Sequence, residues 1–223
     1  MTSKYSEFLT TTRSQPGIAE QEYIERSIHE VLASLPDPAR LSAEERRGMI
    51  ARYTAVLEGN FIYWMTATYL SVQSPEAHAI IKDNLREEVR DNHPGMLRRF
   101  AVAANARSTD LDRRAVDHDL QSVRAFVARL SALKIVLMMA FFEGFIARFM
   151  PYLADLAVRL GSKEQEYTDV HGVVDVSHTQ ELFRAFAAEV DVTNDSTPPA
   201  TLLEGVDLLR TLIETIIRPR SEM

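Results

Sequence analysis

The segment DVHGVVDVSHTQ, residues 169 to 180, gathers two of the chain's six histidines beside Asp169 and Asp175. Wound as one helix, His171, Asp175 and His178 stand at i, i+4 and i+7 and share a face. Two imidazoles and a carboxylate on one face have the spacing of metal ligands. The same spacing also fits a solvated polar stripe, so the segment gains meaning only from donors elsewhere.

Three further stretches offer such donors. In LKIVLMMAFFEGFIARFMPYL, Glu143 follows eight apolar residues and precedes Gly144 and Phe145. A carboxylate buried there without a partner is costly or has a strongly shifted pKa. An arginine such as Arg148, a partner from another helix, or a cation shared with the His171 face must compensate it. In YTAVLEGNFIYW, Glu58 stands ahead of Phe61, Tyr63, Trp64 and Tyr69, which read as core or pocket lining; Glu58 itself is either an exposed acid or one more donor. In NLREEVRDNHPGMLRRFAVAA, Glu87 and Glu88 precede His93-Pro94. Pro94 disfavours helical geometry at His93, so the helix kinks or restarts there and can turn the imidazole inward; otherwise this is a charged surface helix with a histidine at its break.

Together, Glu58, Glu88 (or Glu87), His93, Glu143, His171, Asp175 and His178 supply four carboxylates and three imidazoles from separate helices. Helical bundles that hold two iron or manganese ions use inward carboxylates with acid–histidine pairs at i, i+3, the spacing of Asp175 and His178. The chain has no cysteine, which removes disulfides, zinc–thiolate sites and thiol nucleophiles. Any metal must therefore take nitrogen and oxygen donors, a set that suits iron or manganese.

The elements that must position these residues are helical. At 223 residues, 46% of them hydrophobic, with 8 Gly and 9 Pro, the chain can bury one substantial core. A net charge of −7 argues against nucleic acid, since phosphate binding needs a basic surface. Residues 1–16 read as a flexible lead-in without the layout of a signal peptide, no stretch is long and apolar enough for a membrane span, and a cytoplasmic location is expected. Punctuation at LPDPARLS, VQSPE, ARSTD, LGSKEQ and DVTNDSTPPA separates about seven helices, with no alternating strand pattern and no repeat. Ser42 with Glu45 reads as a capping box opening a helix that runs to about Gln73, and Ser74-Pro75 as the start of the next. Others fit 17–34, 112–129, 131–159, 174–189 and 200–217.

The motifs NLREEVRDNHPGMLRRFA, FFEGF and the H-x-x-x-D-x-x-H of His171, Asp175 and His178 resemble the haem-oxygenase-like diiron oxidases and oxygenases. These are iron-containing redox enzymes whose fold is shared with the TenA and PqqC proteins. The resemblance runs from about Glu58 to His178 and implies an all-α, single-domain, seven-helix haem-oxygenase-like bundle over residues 17–218. It further implies two irons cycling between Fe2+ and Fe3+, with manganese as the alternative ion, and dioxygen as co-substrate. The implied metal ligands are Glu58, Glu88, His93, Glu143, His171, Asp175 and His178, with no catalytic residue beyond them. Glu88 matches as the second acid after Asn84-Leu85, but its spacer to His93 is short, and the choice between Glu87 and Glu88 stays open.

The activity implied is oxygenation of a small amine or amino acid, with N-oxygenation in a biosynthetic pathway as the first expectation. Oxidative C–C cleavage of an amino acid or fatty acid is the alternative. Formation of para-aminobenzoate from a tyrosine of the protein fits less well, because that subgroup carries a lysine where Leu153 stands. A homodimer and an external electron donor are expected as partners. Arg52, Arg148 or Lys134 would be needed to meet a substrate carboxylate, though each reads more readily as a surface residue. Two other classes compete: a metal-free TenA-like enzyme of thiamin salvage, whose usual catalytic cysteine is missing here, and a non-catalytic helical protein whose acids and histidines face water. Four carboxylates would nearly neutralise two Fe(II) and stabilise Fe(III), which favours an oxidant over a hydrolase.

Overall fold

The computed structural model describes residues 17–193 and 199–218; the expected lead-in over residues 1–16 lies outside them. The described residues are helical and contain no strand. In chain order the helices are α1 (Ile18–Ala33), α2 (Ala43–Leu57), α3 (Asn60–Ser71), α4 (Pro75–Arg90), α5 (His93–Ala103), α6 (Asp110–Val127), α7 (Ala132–Arg159), α8 (Glu166–Val192), α9 (Pro199–Leu202) and α10 (Glu204–Ile217).

Ten helical segments among the described residues replace the seven expected, and each extra boundary has a local cause. The helix expected from Ser42 to Gln73 breaks at Glu58, whose backbone is extended, and Gly59, which adopts a left-handed φ of 87°. Glycine carries no Cβ penalty there. The next helix restarts at His93 because Asn92 is left-handed, with φ 55°, and Pro94 occupies the first turn, where its missing N–H costs nothing. The last helix is preceded by the short α9. In the opposite direction, α8 begins at Glu166, two turns before the expected start, so that His171 stands inside the helix.

The expected caps form. Ser42 Oγ accepts from the Glu45 amide, and Glu45 Oε2 accepts from the Ser42 amide at 2.7 Å, satisfying two of the donors every helix start leaves open. Thr109 and Asp112 make a second capping box at α6, and Ser74 caps α4.

The core is organised around α7, which is buried along most of its length and packs against α1, α2, α3, α8 and α10. Phe141, Phe145 and Phe149 are fully enclosed along it, and truncating one such side chain costs about 3–5 kcal/mol. The closest partner of α7 is α8. Gly144 makes that approach possible: a Cβ at this position would come within 3.0 Å of Ile28 Cδ1 on α1 and 3.3 Å of Thr179 Cγ2 on α8. No helix among the described residues is long and apolar enough to cross a membrane.

Candidate metal centre

Six helices line a small cavity of about 30 Å³, and four of them carry its polar donors. Its apolar wall includes Leu57, Phe61, Ile62, Leu97 and Ile146, and its polar wall includes Glu88, His93, Glu143, His171 and Asp175. α4 contributes Glu88, α5 His93, α7 Glu143, and α8 His171, Asp175 and His178. All six are buried. Their ligand atoms fall into two groups, Glu88 with His93 and His171, and Glu143 with Asp175 and His178; within each group one atom from every residue lies within 4.8 Å of the others.

The patterning of α8 is inverted to achieve this. His171, Asp175 and His178 face inward while Val173 is 74% and Val176 51% exposed. On α4 Glu88 is buried beside an exposed Val89. Helices ordinarily bury the apolar stripe, so these residues are not a solvated face.

Each imidazole is held through one nitrogen. His171 Nδ1–H donates to the Tyr167 carbonyl at 2.8 Å, one helical turn back, and its ring packs at 4.5 Å from that of His93. His93 Nδ1–H donates to Glu88 Oε1 at 2.7 Å. His178 Nε2–H donates to Glu87 Oε2 at 3.0 Å. That leaves His178 Nδ1 facing Asp175 Oδ1 at 3.7 Å and Glu143 Oε2 at 3.9 Å, too far for hydrogen bonds. Asn84 Nδ2 donates to Glu143 Oε1 at 3.3 Å.

The electrostatics record the crowding. Burial, then the neighbouring Glu143 and Glu88, pushes the Asp175 carboxyl well above its ordinary range. Burial also raises Glu88, against the opposing pull of His93. His171 is lowered to about 4 by burial and by the neighbouring His93. Burial works to lower His178, but Glu143 and Glu87 outweigh it and raise the ring to about 9. His93 is raised because Glu88 and Asp91 overcome its burial. Behind the site, Tyr53 and Tyr167 share a hydrogen bond of 2.8 Å, and burial raises both phenols well above their ordinary value.

Both oxygens of Asp175, His178 Nδ1 and Asn84 Oδ1 are buried without a hydrogen-bond partner. Orphans of this kind are rare in folded proteins, and three of these four atoms belong to the neighbouring Asp175 and His178, whose Oδ1 and Nδ1 are 3.7 Å apart. A cation would satisfy those three at once, and a donor set of carboxylates and imidazoles without sulfur fits iron.

Of the seven residues singled out in the sequence, the structure brings six together and sets one apart. Glu58, 35% exposed at its side chain, forms an ion pair with Arg98 at the joint between α2 and α3. Glu87 and Glu88 separate by burial: Glu88 stands in the first group, and Glu87, 41% exposed at its side chain, contacts the back of His178. Arg148 does not compensate Glu143; it pairs with Glu25. Arg52 donates to the carbonyls of Ile216 and Arg218, and Lys134 to Glu204. Asn84, Glu87 and the Tyr167 carbonyl went unnoticed as supports, although Asn84 lies one turn before Glu88 on the same face of α4.

A model of the iron-containing redox enzyme family matches residues 50–206, more than half of the chain. The chain belongs to that family. It is therefore a member of an oxidoreductase family whose proteins contain iron, and the matched span includes all six converging residues. No curated protein and no solved structure matches the chain.

Proposed function

We propose that this iron-containing redox enzyme holds two iron ions, one at Glu88, His93 and His171 and one at Glu143, Asp175 and His178, and uses dioxygen to oxygenate the nitrogen of a small amine or amino acid. The observation that carries the two-ion reading is the pair of buried donor groups with three orphaned atoms in the second. Bound there, iron would supply the electrons that reduce dioxygen.

The chain's own residues prepare that chemistry in several ways. Three buried carboxylates offset the charge of two cations, and His171, neutral at physiological pH because its value lies at about 4, offers a lone pair without first losing a proton. The raised His178 and Asp175 favour their protonated forms in the metal-free protein, and a cation bound there would displace any proton they hold. Leu57, Phe61, Ile62, Leu97 and Ile146 keep water away from the polar wall. The cavity has no Lys or Arg among its lining residues, and Arg52, Arg148 and Lys134 are each bonded elsewhere. That favours a substrate that reaches the centre through an amine and an alkyl chain over one that must bury a carboxylate there.

Anaerobic loading with Fe(II) should give close to two irons per chain, and oxygen uptake by the loaded protein should accelerate with one or more members of an amine panel. Mass spectrometry of the products decides the reaction. Oxygen added on nitrogen supports the proposal; loss of CO2, ammonia or formaldehyde, or acceleration by fatty acids alone, replaces N-oxygenation by fragmentation. Failure to retain any iron would overturn the metal reading itself.

A further inference from the structure

One turn of α4 presents Asn84, Glu87 and Glu88 to the site, and the three do different work. Glu88 lies within the first donor group. Asn84 bonds Glu143 and Glu87 bonds His178, so both touch residues of the second donor group from outside. Glu87 meets His178 at Nε2, whereas Asp175 and Glu143 lie nearest Nδ1. The two nitrogens of an imidazole point in diverging directions and cannot serve one ion together.

We infer that Glu87 is a positioning residue: it accepts the Nε2–H of His178, fixes the tautomer that leaves the Nδ1 lone pair toward Asp175 and Glu143, and is not itself a ligand. The assignment rests on the proposed metal site at Glu143, Asp175 and His178. A ligating histidine whose other nitrogen is held by a carboxylate keeps its ring orientation and gains basicity, and loss of such a partner weakens metal binding by about 10–100-fold. Glu87 is half in solvent, so it can be replaced without opening the core. A glutamine at the same position can still accept from Nε2–H through its amide oxygen; an alanine cannot.

The test uses Zn(II), a diamagnetic ion that accepts this ligand set, on the full chain freed of other metals. Stoichiometry and affinity are measured by titration against a chelator of known strength, and the His178 ring nitrogens are read by long-range proton–nitrogen NMR. Circular dichroism checks that every variant keeps its helices. The expected result has three parts. Wild type takes two ions, with His178 protonated at Nε2 and metal-bound at Nδ1. Glu87→Ala also takes two, the weaker by about 10–100-fold, with the Nε2–H signal broadened or lost. Glu87→Gln recovers affinity to within a few-fold and restores the signal.

Loss of one whole ion in Glu87→Ala would overturn the inference by making Glu87 a ligand. Unchanged affinity and an unchanged ring signal in Glu87→Ala would overturn it by making the contact incidental, and metal bound at Nε2 would overturn it directly. Wild type taking up no ion would overturn the metal reading, and this inference with it, and is distinguished from the other failures because it shows before any variant is made.

Discussion

Two carboxylates on α8 are equally buried and differ in every other respect. Glu189, near the C-terminal end, accepts from the Gln73 amide at 3.0 and 2.9 Å and from the Ser74 amide at 2.8 Å. Asp175, four turns earlier, has no partner for either oxygen. The neighbours of Glu189 follow the ordinary helical pattern, with Leu182, Ala185 and Phe186 inward, while those of Asp175 invert it. Glu189 thus fastens α8 to the start of α4 with donors the chain itself provides. Asp175 has no such donor from the chain. Burial alone therefore says little about a carboxylate; the identity of its partners separates a clamp from a site.

The two carboxylates should differ most in their effect on iron content. Asp175→Ala should lower anaerobic Fe(II) loading from about two ions per chain to about one and abolish oxygen-dependent turnover with helicity retained, as should His178→Ala and Glu143→Ala. Glu189→Ala should keep both ions. Equal iron content in Asp175→Ala and wild type, measured by metal analysis, would erase the distinction between the two carboxylates.

Stability should then separate them in the opposite sense. Removing Glu189 leaves the buried amide of Ser74 and the part-buried amide of Gln73 without their acceptor, at a cost of about 1–3 kcal/mol; denaturant unfolding of the metal-free protein measures it. Asp175→Asn removes an uncompensated buried acid, and the metal-free variant should be no less stable than wild type at pH 8.

pH sharpens the contrast further. The folded His178 ring holds its proton to about pH 9, against about 6.5 for a free imidazole. Its stabilising contribution is therefore complete below about pH 6.5 and lost as pH rises toward 9. Asp175, also raised, adds to that loss. His171, depressed to about 4, contributes in the reverse sense: its share is present above about pH 6.5 and lost as pH falls toward 4. Thermal unfolding of the chelated protein should show both arms, with His178→Gln flattening the alkaline one and His171→Gln the acid one. Metal loading should abolish the alkaline arm, because the cation takes the place of the protons.

The smallest effect belongs to Glu58. Paired with Arg98 at a partly exposed position, it should contribute less than about 1 kcal/mol, and Glu58→Ala should keep two irons. Loss of one iron would instead show that Glu58 leaves Arg98 and joins the second donor group when metal binds.

How these regions read in the sequence follows from the range of the forces involved. His171, Asp175 and His178 were legible because helical periodicity is local, and Glu143 because a lone acid in an apolar run violates the rule around it. Glu58 reads as a metal ligand on the strength of the family resemblance; aromatic residues resume at Phe61, and only the left-handed backbone at Gly59 shows that the helix ends and the acid turns toward Arg98. Glu189 carries no local sign of its role, since its partners are backbone amides more than a hundred positions away. Glu87 and Glu88 could not be ranked from one sequence, because adjacent residues on α4 differ only in which helix each faces. The helix count failed for a related reason: glycine and asparagine permit the left-handed angles found at Gly59 and Asn92 without requiring them.

Gly144 gives the site a property that none of its donors specifies. Carboxylates and imidazoles bind copper and zinc more strongly than iron or manganese when ligand chemistry alone decides, so preference for the weaker binders must come from geometry. Glu143 stands on α7, Asp175 and His178 on α8, and at the glycine next to Glu143 a Cβ would come within 3.3 Å of Thr179 on α8. The gap between donor atoms is then set by backbone approach and not by side-chain reach, which makes residue 144 a caliper for ionic radius. A methyl group added there, as in Gly144→Ala, would open the caliper by a few tenths of an ångström against Ile28 and Thr179. The ion it then favours should be a larger one.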